Sequence, residues 1–442
     1  MDHPYFHPEI ETIDRASLQV LQLQRLQEQV QRCYAGSPFY RERLDRAGVG
    51  REHIRSLDDL RRIPVVTKQE LRDEQAAHPP YGRFTVVDPS QWRELHPSSG
   101  TTGNPVITIW SEQDVRQISD FTARTLWAFG VRPGDVIQNG FAYGLWVAGM
   151  AVHHAAAKVG CFVIPIGAQL TDKQIFFMQQ SRSTVLTATP SYGLYIAEKL
   201  AETGIAPSDL NLRIGAFGGE SGTELPSTRA KLEAGLGVDA YDYFGLAEIG
   251  PTFAAECTAK AGIHWAEDHH IVEIIDPATM KPSAPGDIGV VVITHLTREA
   301  TPMLRYWTGD YARLDTARCS CGRTHARSPG GILGRHDDLI IYRGAKFYPA
   351  NVENAVRHFT ELTDEYRIEL VQDAGTGLDR CVVLAEHLPA ATDLVGLTIR
   401  LKGRLKSECS CTPEVQLVPA GTLERTTFKA KRVIDRRTEV GV

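Results

Sequence analysis

STVLTATP (183–190), SYGLYIAEKLAETG (191–204) and LRIGAFGG (212–219) form the stretch on which the fold turns. An apolar, β-prone run leads into a helical pattern and then into a second apolar run, with Pro190, Gly204 and Gly218 as punctuation. That succession predicts a strand–helix–strand unit with parallel strands. The alternation continues outward. VITIW (106–110) precedes SEQDVRQISDFTARTLWAFG, and VIQNGF (136–141) and CFVIPIG (161–167) add further strands. The expectation is an α/β protein with a large multi-layer N-terminal domain built on mainly parallel sheets. Ahead of it, LQVLQLQRLQEQVQRC (18–33) reads as an amphipathic helix lying on that body.

The texture changes after about Gly286. DIGVVVITHL, PMLRYW and YARLD are short β segments with turns between them, a small β addition to the larger domain. From Gly334 the chain reads β-α-β-β-α-β, a small α+β module long enough to fold by itself. The boundary falls at 334–337, giving an N-terminal domain of 1–333 and a C-terminal domain of 334–442. A length of 442 residues agrees with two or three domains. With 42% hydrophobic and 23% charged residues the chain is no disordered tail, and a net charge of −6 gives no overall basic footprint for nucleic acid. The first residues carry Asp2, Glu9, Glu11, Asp14 and Arg15, which break any secretory leader pattern. No apolar run is clean enough to span a membrane. A cytoplasmic protein is expected.

Five short features carry chemistry. Ser98, Ser99, Gly100, Thr101, Thr102 and Gly103 form a hydroxyl- and glycine-rich loop able to wrap phosphate oxygens. It lacks the lysine of the G-x-x-x-x-G-K-[ST] loop, and taken alone such a segment is more often a surface turn. DYFGLAEIGP (242–251) offers aromatics to stack a ring and a carboxylate, Glu248, for a divalent cation. RYWTGD (305–310) ends in an aspartate suited to a ribose diol. LGRHDDLIIYRG (333–344) and FKAKRVIDRR (428–437) complete the set; a basic run like the last is usually a solvated helix face.

In this order the five features resemble the adenylate-forming (AMP-forming) superfamily of acyl-CoA ligases, in its phenylacetate–CoA ligase-like branch. SPFYRERLDRAGV (37–49), DLRRIPVVTKQELR (59–72), GIHWAEDHHIVEIIDPATMKPSAPGDIG (262–289) and LTREATPMLRYWTGD (296–310) extend the resemblance over nearly the whole chain. It implies an ATP-dependent ligase. A carboxylate attacks the α-phosphate of MgATP to give an acyl-adenylate, and a thiol, usually that of coenzyme A, displaces AMP. By the same resemblance the 98–103 loop grips phosphates and Glu248 holds Mg²⁺. Gly219, Glu220, Tyr243, Phe244 and Gly245 line the nucleotide, Asp310 binds the ribose and Arg335 supports it. Lys429, preferred over Lys431 by motif alignment, is the catalytic cation on a mobile C-terminal domain. That domain pivots at Asp337 and brings the Gly344 segment to the CoA channel.

The acyl pocket implied for this branch comprises Phe141, Tyr143, Trp146 and Gly218, whose aromatic walls favour a flat ring. The small-molecule partners are then an aromatic acid, ATP and CoA, with no nucleic acid and no membrane; a homodimer stays open. Cys257, His264, Cys319 and Cys321 fall as C-x₆-H and C-x-C, neither a standard zinc spacing. The resemblance nevertheless implies a structural Zn²⁺ on these four. Departures from the family pattern are Asn104 where lysine is common, Ala247 for a hydroxyl residue, Phe428 for glycine, and the 216–222 segment. Asn104 and Ala247 each remove a phosphate contact of about 1–2 kcal/mol. They keep alternatives in view: a carrier-protein thiol or an amine as acceptor, an ATP-dependent diazotase using nitrite and an aryl amine, or a non-catalytic nucleotide binder.

Overall fold

The computed structural model describes residues 3–98, 104–168, 171–336, 338–343, 345–372, 379–425 and 432–437. Within it the 183–219 stretch folds as read. Strand Val185–Ala188 leads into helix Pro190–Thr203, and strand Ile214–Gly218 lies parallel beside the first, pairing Val185 with Ile214 and Ala188 with Phe217. Helix Pro190–Thr203 begins on a Thr189 side chain that accepts from the Tyr192 amide, has proline in its first turn, and ends at Gly204 in the left-handed region.

These strands sit mid-way in an eight-stranded sheet. Phe162–Ile164, Val136–Asn139, Val185–Ala188, Ile214–Gly218 and Asp239–Leu246 run parallel. Gly250–Ala255, Ile263–Trp265 and Arg327–Ser328 continue the sheet antiparallel. Helices Glu112–Ala128, Val147–Val159, Pro190–Thr203 and Pro226–Leu236 cover its faces, burying two apolar clusters, one around Phe141, Val185 and Tyr243 and one around Leu186, Tyr192 and Phe217. The small β addition is a five-stranded antiparallel sheet centred on Gly289–His295. Helix Arg15–Gly36 packs beneath it through Leu26, Val30 and Cys33.

One expectation is altered. VITIW does not join the parallel sheet: Ile107–Ser111 forms a hairpin with Trp92–Pro97, pairing Leu95 with Ile109. Ser98 and Asn104–Pro105 are the described ends of the connection between the two strands.

After Arg335 the chain builds a separate core. Leu362–Gln372 and Asp379–His387 pair antiparallel, flanked in parallel by Val433–Asp435 and Glu414–Pro419. Helices Pro349–Arg357 and Leu394–Cys409 pack on this sheet, enclosing Val352, Tyr366, Ile368, Leu401, Leu405, Cys381 and Cys409. The basic run near the C-terminus supplies an edge strand, Val433–Asp435, rather than a helix face. Among the described residues no helix is long and apolar enough to cross a membrane.

Candidate active site and metal centre

Strand ends build the candidate site, at the carboxyl edge of the parallel strands where open α/β sheets hold ligands. Asp239–Leu246 turns back into Gly250–Ala255, and the turn carries Glu248. Gly245 is required there because a Cβ would lie 2.0 Å from the Pro251 carbonyl oxygen. Glu248 is buried, and Lys68 Nζ lies 3.0 Å from its carboxylate. Lys68 opens helix Lys68–Ala77, fixed by a capping box in which Thr67 and Glu70 satisfy each other's amides. The preceding Val66 bridges Tyr306. Burial, with the neighbouring carboxylates of Glu248 and Asp310, pushes the Tyr306 phenol well above its ordinary pKa.

Tyr306 therefore joins Glu248 to the second element of the site. Strand Tyr306–Ala312 pairs with Gly334–Arg335 so that Asp310 faces Arg335 directly, and the Arg335 guanidinium donates to the Asp310 carboxylate at 3.0 Å. Ser98, at the root of the hydroxyl-rich loop, accepts from the Val106 amide at 3.0 Å, while its own amide donates to the Val106 carbonyl at 2.7 Å. Thr108 donates to the Ala247 carbonyl, which sets the ends of that loop beside Glu248. Ser99, Gly100, Thr101, Thr102 and Gly103 lie outside the described residues, as do Asp337, Gly344, Lys429 and Lys431.

Alternation along Asp239–Leu246 sends Tyr243 and Phe244 to opposite faces. Phe244 packs on Phe253 and Trp265, with ring centroids 5.2 and 6.2 Å apart. Tyr243 lies with Phe141 at 6.1 Å and pairs across the sheet with Gly218. It thus sits with the residues read as acyl pocket rather than with those read as nucleotide contacts. Phe141 meets Trp146 edge to face at 5.6 Å. Gly219, at φ +89°, lets the indole close over the backbone, since a Cβ there would come within 3.1 Å of it. The Tyr143 hydroxyl is held by Asn139 at 2.9 Å and His153 at 3.1 Å. Glu220 accepts from the amide and hydroxyl of Ser191 at the start of helix Pro190–Thr203.

A second constellation stands apart from this cleft. The ligand atoms of Cys257, His264, Cys319 and Cys321 all lie within 4.8 Å of one another. Cys257 and Cys319 sulfurs are 3.9 Å apart, and the Cys321 sulfur is 3.8 Å from His264 Nε2. A tetrahedral site with Zn–S near 2.3 Å has edges of about 3.8 Å, so the four residues fit a closed S₃N site. The N-terminal segment wraps around it: Tyr5 donates to the Cys321 carbonyl at 3.0 Å, and Arg323 pairs with buried Glu11 at 2.8 Å.

Residues 41–307 match the family model described as AMP-binding enzyme, and 344–437 match that of the AMP-binding enzyme C-terminal domain. The phenylacetate–coenzyme A ligase of Thermus thermophilus is 38% identical over 98% of this chain and 99% of its own length. The chain belongs to this family of adenylate-forming ligases. It is an AMP-forming acid–CoA ligase of the phenylacetate–CoA ligase-like branch. Among solved structures, a 2-hydroxyisobutyryl-CoA ligase in its postadenylation state superposes with a TM-score of 0.93 at 30% identity, covering 99% of this chain and 94% of that one. The same ligase with 2-HIB-AMP and CoA in its thioesterification state, 31% identical, covers 99% and 93% but reaches only 0.75.

Two contributors escaped the sequence reading. Lys68 lies in VVTKQELR, whose capping pattern announces the helix start but not the reach of its first residue toward Glu248. Tyr306 lies one residue beyond a predicted motif's arginine; only the sheet pairing reveals that its phenol faces two carboxylates.

Proposed function

We propose that this ligase activates an aromatic carboxylate through an acyl-adenylate and transfers it to coenzyme A. The observation that carries the aromatic assignment is the box of Phe141, Trp146 and Tyr243 set edge to face around Gly218 and Gly219. Such faces accept a flat ring and leave little for a long alkyl chain.

In the first half-reaction a carboxylate oxygen of the acid bonds to the α-phosphorus of ATP while the bond to pyrophosphate breaks. Asp310 accepts from the ribose hydroxyls, with Arg335 holding its carboxylate in orientation. The 98–103 loop cradles the phosphates. Glu248 would hold Mg²⁺, whose charge would be available to neutralise the phosphate oxygens. Lys429 brings its ammonium between the attacking oxygen and the α-phosphate, stabilising charge that develops only in the transition state. In the second half-reaction the CoA sulfur bonds to the acyl carbon, its proton passes to solvent, and AMP leaves. The C-terminal domain, 334–442, swings about Asp337 between the two steps and brings the Gly344 segment to the thiol. Cys257, His264, Cys319 and Cys321 would hold a structural Zn²⁺, a site set apart from the residues that serve either step.

The deciding experiment supplies ATP, Mg²⁺, CoA and a mixture of aryl and aliphatic acids to the purified enzyme and identifies the thioester by mass spectrometry. Aryl thioesters are expected to dominate. Preferential conversion of fatty acids would reject the aromatic reading, and AMP release that ignores CoA would move the acceptor elsewhere.

A further inference from the structure

Arg425 stands four residues before Lys429, at the last described position ahead of the lysine segment. Its guanidinium is shared between two bodies. Nη2 and Nε reach the two oxygens of Glu198, on helix Pro190–Thr203 of the N-terminal body, at 3.0 and 3.3 Å. Nη1 donates to Glu386, a fully buried carboxylate of the C-terminal sheet, at 2.8 Å. Glu386 is anchored in turn by the Thr363 hydroxyl at 3.1 Å and the Leu423 amide. The fork of one arginine thus ties the root of the lysine segment to its own sheet on one side and to the opposite domain on the other.

From this bridge we infer that Arg425 is a positioning residue: with Glu198 it latches the C-terminal domain in the orientation that serves adenylation. The inference rests on the proposed role of Lys429. The latch belongs to the arrangement described here, which superposes on a relative's postadenylation state at 0.93 and on its thioesterification state at 0.75. A swing that brings another face of the C-terminal domain to the cleft carries Arg425 away from Glu198 but leaves it on Glu386, because that pair lies within one domain. The two contacts therefore have separate jobs. Glu386 holds Arg425 on the sheet in both orientations, and Glu198 favours one orientation over the other. A two-state element biased by one ion pair responds in proportion to what that pair contributes in one state alone.

Glu198→Ala isolates the inter-domain half, since Arg425 keeps Glu386 and the C-terminal core is untouched. The test measures the half-reactions separately: pyrophosphate exchange for adenylation, and thioester formation from a supplied acyl-adenylate. Glu198→Ala is expected to slow adenylation about fivefold while thioester formation holds or quickens, and Glu198→Asp, which keeps the carboxylate and leaves the Arg425–Glu386 pair intact, should recover part of the loss. Unchanged adenylation in Glu198→Ala, or equal loss in both half-reactions, overturns the latch. Failure of the underlying reading looks different: Lys429→Ala would then leave adenylation intact, whatever Glu198 does.

Discussion

The N-terminal body and the C-terminal module bury their cysteines and their charges in different ways. In the body, Cys257, Cys319 and Cys321 converge with His264 on a point suited to a cation; in the module, Cys381 and Cys409 lie in the apolar core beside Leu401 and Leu405 as packing groups. Body and module bury apolar clusters of their own, and described contacts between the two include several polar ones beside the Tyr311–Tyr348 ring pair. Ser227 donates to Asn354, Lys231 pairs with Asp364 at 2.7 Å, and Arg357 donates to Thr228 at 2.8 Å. A seam of hydrogen bonds and ion pairs exchanges readily with water, whereas an apolar seam would fuse the two bodies. On the proposed assignment the body carries the nucleotide and acyl sites, and a seam of this kind suits a module that moves. In the proposed rotation the module presents Lys429 for adenylation and the Gly344 segment for thioester formation. Lys429→Ala is accordingly expected to reduce adenylation about a thousandfold while thioester formation from supplied adenylate stays within a few-fold. Equal loss in both steps would erase the division of labour between the two bodies.

The cysteine contrast is open to a second break. One zinc per chain is expected by elemental analysis of the purified protein, and Cys319→Ser should lower both zinc content and the stability of the body by about 2–4 kcal/mol. Cys409→Ser, in the module, should leave the zinc content unchanged. Protein with well under one zinc per chain and an unshifted melting profile on chelation would reduce the four residues to packing as well.

Legibility in the sequence followed periodicity. The strands at 185–188 and 214–218 and the helix between them announce themselves through local pattern, and so does the β-α-β-β-α-β order of the module. Motif order placed Asp310 and Arg335 in one site, and the sheet pairs them at 3.0 Å. Other features depend on contacts between residues remote in the chain. The hairpin of Trp92–Pro97 with Ile107–Ser111 is invisible because an apolar strand followed by a helix looks the same in either sheet. Cys257 and Cys319 are separated by 62 positions, so no local spacing brings them together. The facing of Tyr243 toward Phe141 follows from strand alternation, which needs the register before it assigns a side.

The smallest expected effect concerns the seam itself. Glu224, partly buried on the body beside the Gly222 turn, has its carboxyl pushed from an ordinary 4.5 up to about 7, first by burial and then by Glu353 across the seam. Its own Ser221 and Gly222 partners pull the other way, and Asp242 is the further buried acid facing it. Glu353 is held in place by Arg357 and by the Tyr366 hydroxyl. The sign follows directly. Between about 4.5 and 7 the assembled state binds more protons at Glu224 than the unfolded chain does, so stability falls as pH rises through that window, and the full penalty stands above it. The part due to Glu353 vanishes when the module swings away, which makes alkaline pH favour the swung orientation. A donor–acceptor pair placed across the seam should therefore report a shift of roughly threefold in the orientation ratio between pH 6 and 8.5. Glu224→Gln should flatten that response. A wild-type ratio independent of pH would show the seam to be indifferent to this proton and leave the Arg425–Glu198 and Lys231–Asp364 pairs as its charged contacts.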